Sequence, residues 1–317
     1  MPIATSIQPI RNLDLNLTVG SMFIGVLFSA LFYGLTCAQV VYYSSAYYNS
    51  DKTLVKAFVY GIMIFDTIIT AVDAATSWAF VIEGHANPPS VLIEPKVYAA
   101  ENVLVRFVIC AVQMFYIHGL WTLLTRFGTT YKARLAITMP PICLSLMALV
   151  FGFVGEYKIA TQDWIIQKAL RADEVASAGN YCAAALADLC ICVSLCWTLR
   201  GRLSGFEWSR TDNMIRVLAS YIVNRGILLT AMQIVNLGVF LYSVKPASLL
   251  WFPFNCIEVK LYINSMMAVL NARRHLNGGG GVSYISGFTD DAATYVDGTS
   301  TKGAPVVENI PLTTFRI

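Results

Sequence analysis

The stretch that decides the fold is ARLAITMPPICLSLMALVFGFVG, residues Ala133–Gly155, which carries one charged side chain, Arg134, near its start. An α-helix of about 20 mostly apolar residues crosses the hydrocarbon core of a bilayer. A helix satisfies its own backbone hydrogen bonds, which lipid cannot do. This stretch therefore predicts a membrane-spanning helix.

The composition of the whole chain agrees with this prediction. Hydrophobic residues make up 56% of the 317 residues and charged residues only 13%, at a mean hydropathy of +0.60. Soluble domains carry roughly 25% charged residues, so we expect an integral membrane protein whose first partner is the lipid bilayer. A net charge of +3 is too small to indicate a nucleic acid partner.

Apolar stretches of similar length lie on both sides of this one. They predict an all-α polytopic membrane bundle with seven spans, at Leu17–Val41, Leu54–Ile82, Val97–Leu124, Ala133–Gly155, Ala176–Leu199, Val217–Val244 and Leu249–Leu270. The predicted organisation is a short extracellular segment at 1–16, a transmembrane domain at 17–276 and a cytoplasmic tail at 277–317. The tail opens with the glycine run Gly278–Gly281, and its polar composition predicts disorder.

Lysine and arginine residues near the span ends predict the orientation, because cytoplasmic loops carry the excess of positive charge. The larger set comprises Lys52, Lys56, Arg126, Lys132, Arg134, Arg200, Arg202, Arg210, Arg216, Arg273 and Arg274. The smaller set, at the other end, comprises Arg11, Lys96, Lys158, Lys168, Arg171 and Lys245. We expect the larger set in the cytoplasm, with the N-terminus outside, the C-terminus inside and the plasma membrane as the default location.

Motifs for catalysis or metal binding are not evident in the sequence. Cys190, Cys192 and Cys196 have no histidine nearby to complete a metal site. A nucleophile elbow and a phosphate-binding loop are also missing. We therefore expect no enzyme, no cofactor and no metal.

Ionisable residues inside the predicted spans mark the candidate site, because lipid does not hydrate a charge. Asp66 and Asp73 lie nearly two helical turns apart and therefore share one face of the second span. They indicate either a polar seam between helices or a site that handles protons or cations. Arg106 in the third span lies at the depth of Asp73, which predicts an Asp73–Arg106 ion pair.

A second group of ionisable residues lies in the last three spans. Asp188 is the predicted partner of Arg225, with Asn224 as a further source of hydrogen bonds. Glu258 and Lys260 lie two residues apart and point to roughly opposite faces of the last helix. We expect Glu258 to face the bundle, whereas the long stem of Lys260 allows its ammonium group to reach the membrane interface.

The residues from the fifth span onward carry a resemblance to a known family. They are Ala187–Leu189, Ser194–Leu199, Gly205-Phe206, Arg210-Thr211-Asp212, Asn224, Lys260–Ser265 and Leu270–Arg273. Together they resemble an uncharacterised seven-helix membrane protein family of basidiomycete fungi, over Ala184–Leu276. The resemblance implies a fungal membrane protein, and it brings no activity because the family is a domain of unknown function.

The loop between the fifth and sixth spans forms a second candidate site. Gly205 and Phe206 suit a tight cytoplasmic turn. After Arg210, the pair Thr211 and Asp212 suits a cap at the start of a helix. We expect a cytoplasmic protein partner to contact this loop.

Three functions remain open, and we rank them in this order. An orphan sensor or receptor-like protein predicts a pocket in the outer half of the bundle and a cytoplasmic partner. A transporter of small solutes or protons predicts access to Asp66, Asp188 and Glu258 from both sides. A structural or scaffolding protein predicts that every bundle charge is paired and that no cavity exists. The sequence names no ligand for any of them, because a fold does not determine a function.

Overall fold

A computed structural model describes residues 20–48, 51–83, 96–162, 165–203, 210–244 and 248–277. Within these ranges the seven α-helices are α1 Ser21–Tyr47, α2 Thr53–Trp78, α3 Lys96–Arg126, α4 Tyr131–Ala160, α5 Ile166–Leu203, α6 Arg210–Val244 and α7 Phe252–Asn277. A π-helical turn, Ala79–Glu83, prolongs α2. The predicted N-terminal segment and the tail beyond Asn277 lie outside the described residues, so the domain organisation stays a prediction.

Six helices are long and apolar enough to cross a membrane, which indicates a membrane-embedded protein. By length and composition within the described ranges, these spans are Ser21–Tyr47, Thr53–Ile82, Val97–Thr125, Tyr131–Ala160, Lys168–Leu199 and Ile222–Val244. α7 is not among them, since Asn255, Glu258, Lys260 and Asn264 interrupt its apolar sequence. The all-α fold is confirmed, whereas the seventh span and the orientation remain predictions.

Consecutive helices run antiparallel. Ser29 of α1 contacts Asp73 of α2, while Ser44, further along α1, contacts Tyr60, which comes earlier in α2. Pairs of contacts give the same relation between α3 and α4, α4 and α5, α5 and α6, and α6 and α7. We call the half of the bundle that holds the start of α1 the upper half, and the opposite half the lower half. The predicted orientation places the upper half outside.

α7 occupies the centre of the bundle. It packs against α1, α2, α3 and α6, and Tyr262 connects it to α5. Its polar residues Asn255, Glu258 and Lys260 are at most 1% exposed. α1 is different, because its large apolar side chains point outward, among them Phe23, Ile24, Leu27, Phe28 and Leu31. Large exposed apolar surfaces of this kind are typical of contact with lipid.

The two halves of the bundle are packed by different residues. An apolar core joins α1, α2, α3, α5, α6 and α7, and its members in the lower half include Val40, Val59, Leu120, Leu123, Leu195, Leu199, Met266 and Leu270. The upper half contains an aromatic cluster of Tyr98, Tyr181, Phe240, Trp251 and Phe252. α4 meets α5 through small residues, including Ala148, Ala183 and Ala184, which let helix backbones approach closely.

Candidate functional site

The face of α7 toward α1 and α2 holds a closed ion pair. The Nζ atom of Lys260 lies 2.5 Å from Oδ1 of Asp66 and 2.5 Å from Oγ1 of Thr70, and the side chains of Lys260 and Asp66 are both fully buried. The prediction that Lys260 reaches the membrane interface is therefore wrong. A carboxylate across the helix interface offers the ammonium group a partner, so the stem does not have to extend to the membrane surface.

Asp73 lies on the same face of α2 as Asp66, as predicted, and both are fully buried. Ser29 donates a hydrogen bond of 2.7 Å to its carboxylate, and the thiol of Cys256 contacts the other oxygen at 3.5 Å. The predicted Asp73–Arg106 ion pair is not formed among the described residues. Equal depth along neighbouring helices does not decide which way two side chains point, and Arg106 turns instead toward α4 and α5.

The opposite face of α7 carries an extended hydrogen-bond network. Glu258 faces the bundle, as predicted, and accepts hydrogen bonds from Gln233, at 2.7 Å, and from Asn236. Gln233 also donates to the hydroxyl of Tyr262 at 3.0 Å, and that hydroxyl donates to Asp188. Amide and hydroxyl groups thus donate hydrogen bonds to the carboxylates of Glu258 and Asp188, as the ammonium group of Lys260 does to Asp66 on the other face.

The network ends at the predicted Asp188–Arg225 ion pair, which is confirmed at 3.7 Å. The guanidinium carbon of Arg225 also lies 3.3 Å from the ring centroid of Tyr116. This cation–π contact partly offsets the free energy lost when the charge is buried. Asn224 does not contribute, because it is exposed on the outside of α6. Its neighbour Arg225 points inward, since adjacent helical residues point in different directions.

The predicted loop site lies only partly within the described residues. Gly205 and Phe206 lie outside the described residues. Arg210, Thr211 and Asp212 form the first turn of α6 by backbone, which agrees with a helix start there. Their side chains also lie outside the described part of the structure.

Arg106 lines two small spaces in the upper half. The larger has a volume of about 30 Å³ and is lined by α3, α4, α5, α6 and Trp251, with Asp173, Asn180 and Tyr181 on the α5 side. We call it the Arg106 cavity. The smaller, of about 10 Å³, extends from Arg106 toward Gln113 and Glu258. The two spaces place Arg106 between the aromatic cluster and the α7 network.

Several buried polar atoms at the Arg106 cavity have no hydrogen-bond partner within the described residues. They are the Nη1 atom of Arg106, Oδ1 of Asp173 and the indole Nε1 of Trp251. The other carboxylate oxygen of Asp173 accepts a hydrogen bond from Ser177. Buried polar groups in proteins are almost always hydrogen-bonded. Unpaired donors and an unpaired acceptor therefore border one cavity, which has the volume of one or two water molecules.

Two glycines of α4 make room for the charged side chains of this site. A Cβ atom at Gly155 would lie 2.2 Å from Oδ1 of Asp173, and one at Gly152 would lie 3.0 Å from Cγ of Arg106. Any larger residue at Gly155 would have to displace the Asp173 carboxylate. The wall of the cavity thus depends on the absence of a side chain at Gly152 and Gly155.

The sequence analysis missed most residues of this site, including Gln233, Asn236, Tyr262, Asp173 and Trp251. Gln233 and Asn236 lie in an apolar span, and their polarity at that position could have identified them from the sequence. Asp173 precedes the predicted fifth span, because α5 begins a full ten residues earlier, at Ile166. Tyr262 gave no signal, since tyrosine is common in apolar helices.

Residues 184–275 match a family of unknown function, DUF6534. The match contains the end of α5 together with α6 and α7, and therefore Asp188, Arg225, Glu258 and Lys260, but not Arg106. It agrees with the resemblance to a domain of unknown function, whereas the fungal origin remains a prediction. No curated protein and no solved structure matches the chain. The chain is thus a membrane-embedded helical protein, and its residues 184–275 are similar to the DUF6534 family.

Proposed function

We propose that this protein is a receptor-like sensor of the plasma membrane, with seven spans and no enzymatic activity, and that it binds its stimulus in the Arg106 cavity. The observation that carries the proposal is the cavity itself, a polar space in the upper half with side chains of several helices around it. Binding sites in helical bundles lie between helices and combine apolar walls with a few polar groups.

The contacts of α7 support a path from this cavity to the lower half. Glu258 lines the space beside Arg106, and Gln233 and Tyr262 connect it to Asp188. A ligand that binds Arg106 alters the electrostatic environment of Glu258 and so favours one arrangement of α6 and α7 over another. A cytoplasmic protein partner would detect that change at the lower ends of α5 and α6.

A small-solute or proton-coupled transporter is the second candidate, favoured by carboxylates without a basic partner. Asp73, Glu101 and Glu258 form no ion pair within the described ranges, and buried acids of this kind serve as proton relays in transporters. The apolar core of the lower half separates them from the lower end, which ranks the sensor first. A scaffolding function would account for the two buried ion pairs but not for a polar cavity.

The experiment compares the accessibility of two engineered cysteines on α5. Ser177 lines the cavity and Ser194 lies in the lower half, and both side chains are partly buried. The variants Ser177→Cys and Ser194→Cys of the full chain are exposed, in oriented membrane vesicles, to a thiol reagent that cannot cross membranes. Peptide mapping then reports labelling at each site separately from the native cysteines.

The sensor predicts that the cysteine at position 177 is labelled only when the reagent is on the upper side of the membrane. It predicts that the cysteine at position 194 is not labelled from either side. Labelling of position 177 from both sides would replace the sensor with the transporter. A complete lack of labelling at position 177, in protein that is folded and correctly inserted, would contradict the sensor and favour the scaffold.

A further inference from the structure

We infer that the lower end of the α3–α4 hairpin binds the phosphate group of a net anionic phospholipid, through Arg134, Lys132 and the start of α4. The inference goes beyond the proposed function, because this surface lies at the opposite end of the bundle from the Arg106 cavity. We call the surface the Arg134 patch, and its members are Trp121, Thr125, Tyr131, Lys132 and Arg134.

The first argument is a guanidinium group that the protein holds in place without neutralising its charge. The Nη1 atom of Arg134 donates a hydrogen bond of 2.7 Å to Oγ1 of Thr125. Its Cζ atom lies 5.3 Å from the ring centroid of Trp121 and 5.9 Å from that of Tyr131. A guanidinium has several N–H donors, and all three of these contacts are with neutral groups. The group therefore keeps its positive charge and has donors left for an anion.

The second argument is the absence of acidic residues from the hairpin. The sequence between Glu101 and Glu156 contains no aspartate and no glutamate, yet it places Arg126, Lys132 and Arg134 around the turn between the two helices. Neither ion pair found among the described residues involves the patch, and the side chain of Lys132 is exposed. The counter-ion for this positive charge therefore has to come from outside the hairpin.

The depth of the patch matches the phosphate layer of a bilayer. The apolar spans of α3 and α4 are Val97–Thr125 and Tyr131–Ala160, so the patch lies where both spans end. The α3 span has 29 residues, which rise about 43 Å at about 1.5 Å per residue, and a bilayer with its headgroups is roughly 40–45 Å thick. Arg134 extends toward Thr125, as long basic side chains in membranes do. Its guanidinium therefore lies at the depth of the lipid phosphates.

The start of α4 adds backbone donors to the patch. Thr130 precedes the helix, and its side chain forms no capping hydrogen bond. The first N–H groups of an α-helix have no acceptor within the helix, and the helix dipole adds partial positive charge there. Gly128, at φ +68°, turns the chain so that α4 begins next to the end of α3. Phosphate groups bind helix starts of this kind, and here the side chains of Lys132 and Arg134 add their charges.

The charges of the patch also select the class of headgroup. They attract a phosphate, but they repel the choline group that phosphatidylcholine carries next to its phosphate. Trp121 and Tyr131, whose rings would attract choline, already contact the guanidinium of Arg134. The predicted orientation places the patch in the cytoplasmic leaflet, which contains the anionic lipids of a plasma membrane. A headgroup with a net negative charge is therefore the best complement.

The experiment measures lipid selectivity at Trp121, which lies within the patch. The full-length protein is reconstituted into nanodiscs that contain brominated phosphatidylglycerol or brominated phosphatidylcholine, and bromine quenches the fluorescence of nearby tryptophans. The chain has six tryptophans, so the signal of Trp121 is obtained as the difference from a Trp121→Phe background. We expect a preference for phosphatidylglycerol of roughly ten-fold or more, at about five-fold for each basic side chain near the membrane surface.

Variants connect the selectivity to the named residues. Lys132→Gln should lower the preference about five-fold, and Lys132→Gln/Arg134→Gln should abolish it, whereas Arg134→Lys keeps the charge and should retain most of it. The matched control is Lys52→Gln, which removes an exposed lysine at the start of α2, next to Asp51, and should keep the wild-type preference. Selectivity is measured only on variants that elute as folded protein, so a folding defect is not mistaken for lost lipid binding.

Equal quenching of Trp121 by the two lipids in the wild type would overturn the inference, and so would an unchanged preference in Lys132→Gln/Arg134→Gln. Glycerol 3-phosphate, a soluble analogue of the headgroup, is then added as a competitor. If the preference for phosphatidylglycerol persists, the ligand is a lipid, whereas its complete loss would assign the patch to a soluble phosphate instead. The Arg106 cavity takes no part in this experiment, so the proposed sensor stands or fails separately.

Discussion

The two faces of α7 hold their acidic residues in different ways. Toward α2, Asp66 is paired with Lys260 at 2.5 Å, and Thr70 accepts a further hydrogen bond from the same ammonium group. Toward α6, Glu258 is held by the neutral amides of Gln233 and Asn236 and borders the space next to Arg106. The first face holds a closed ion pair, whereas on the second face neutral amides hold a carboxylate that borders a small cavity.

This difference separates a structural role from a functional one. A buried ion pair adds little net stability compared with apolar packing, but the loss of one partner leaves an orphan charge in the bundle. We expect its main effect to be on the specific way in which α2 and α7 pack together. A carboxylate held by amides beside a cavity can respond to an occupant without first breaking an ion pair. We therefore expect mutations on the two faces to differ in kind.

The largest expected effect is loss of one member of the closed ion pair. Lys260→Met leaves Asp66 buried without its counter-ion, and Asp66→Asn does the same to Lys260, each at a cost of about 3–5 kcal/mol. Both should lower the midpoint of thermal unfolding in detergent. The double variant Asp66→Asn/Lys260→Met buries no charge and should recover most of the loss. Single variants as stable as the wild type would remove the distinction between the two faces.

A smaller effect is expected from filling the α4 wall of the cavity. Gly155→Ala places a methyl group against the Asp173 carboxylate, and overpacking of this kind costs about 1–3 kcal/mol. Gly238→Ala is the control, because Gly238 lies in the same half of the bundle with open space around it. Thermal unfolding should show destabilisation for Gly155→Ala only. Equal midpoints of thermal unfolding for the two variants would mean that the cavity wall accommodates the added methyl group without a loss of stability.

The smallest effect is expected on the amide-bound face. Glu258→Gln keeps the size of the side chain and its acceptor oxygen, so the cost should be about 1 kcal/mol, the value of one hydrogen bond. The comparison is with Asp66→Asn, the same chemical change on the opposite face, measured by the same unfolding assay. A loss for Glu258→Gln as large as that for Asp66→Asn would show that Glu258 has a cationic partner after all.

Side-chain periodicity along single helices was predictable from the sequence. The shared face of Asp66 and Asp73 follows from their spacing along one helix, and so do the opposite directions of Glu258 and Lys260. The Asp188–Arg225 pair was also predicted correctly, since each was the natural partner of the other. The Asp73–Arg106 pair failed because its prediction needed the rotation of two helices about their axes, which depth in the membrane does not determine.

The sequence by itself determined the all-helical, membrane-embedded class, because long apolar stretches have few alternatives in lipid. It also determined that charges lie inside the bundle. Only the tertiary structure decided that α7, the most polar of the helices, lies in the centre, that Lys260 is paired with Asp66, and that Arg106 and Asp173 line one cavity. These outcomes depend on how helices distant in sequence rotate and pack against one another, and no local pattern encodes that choice.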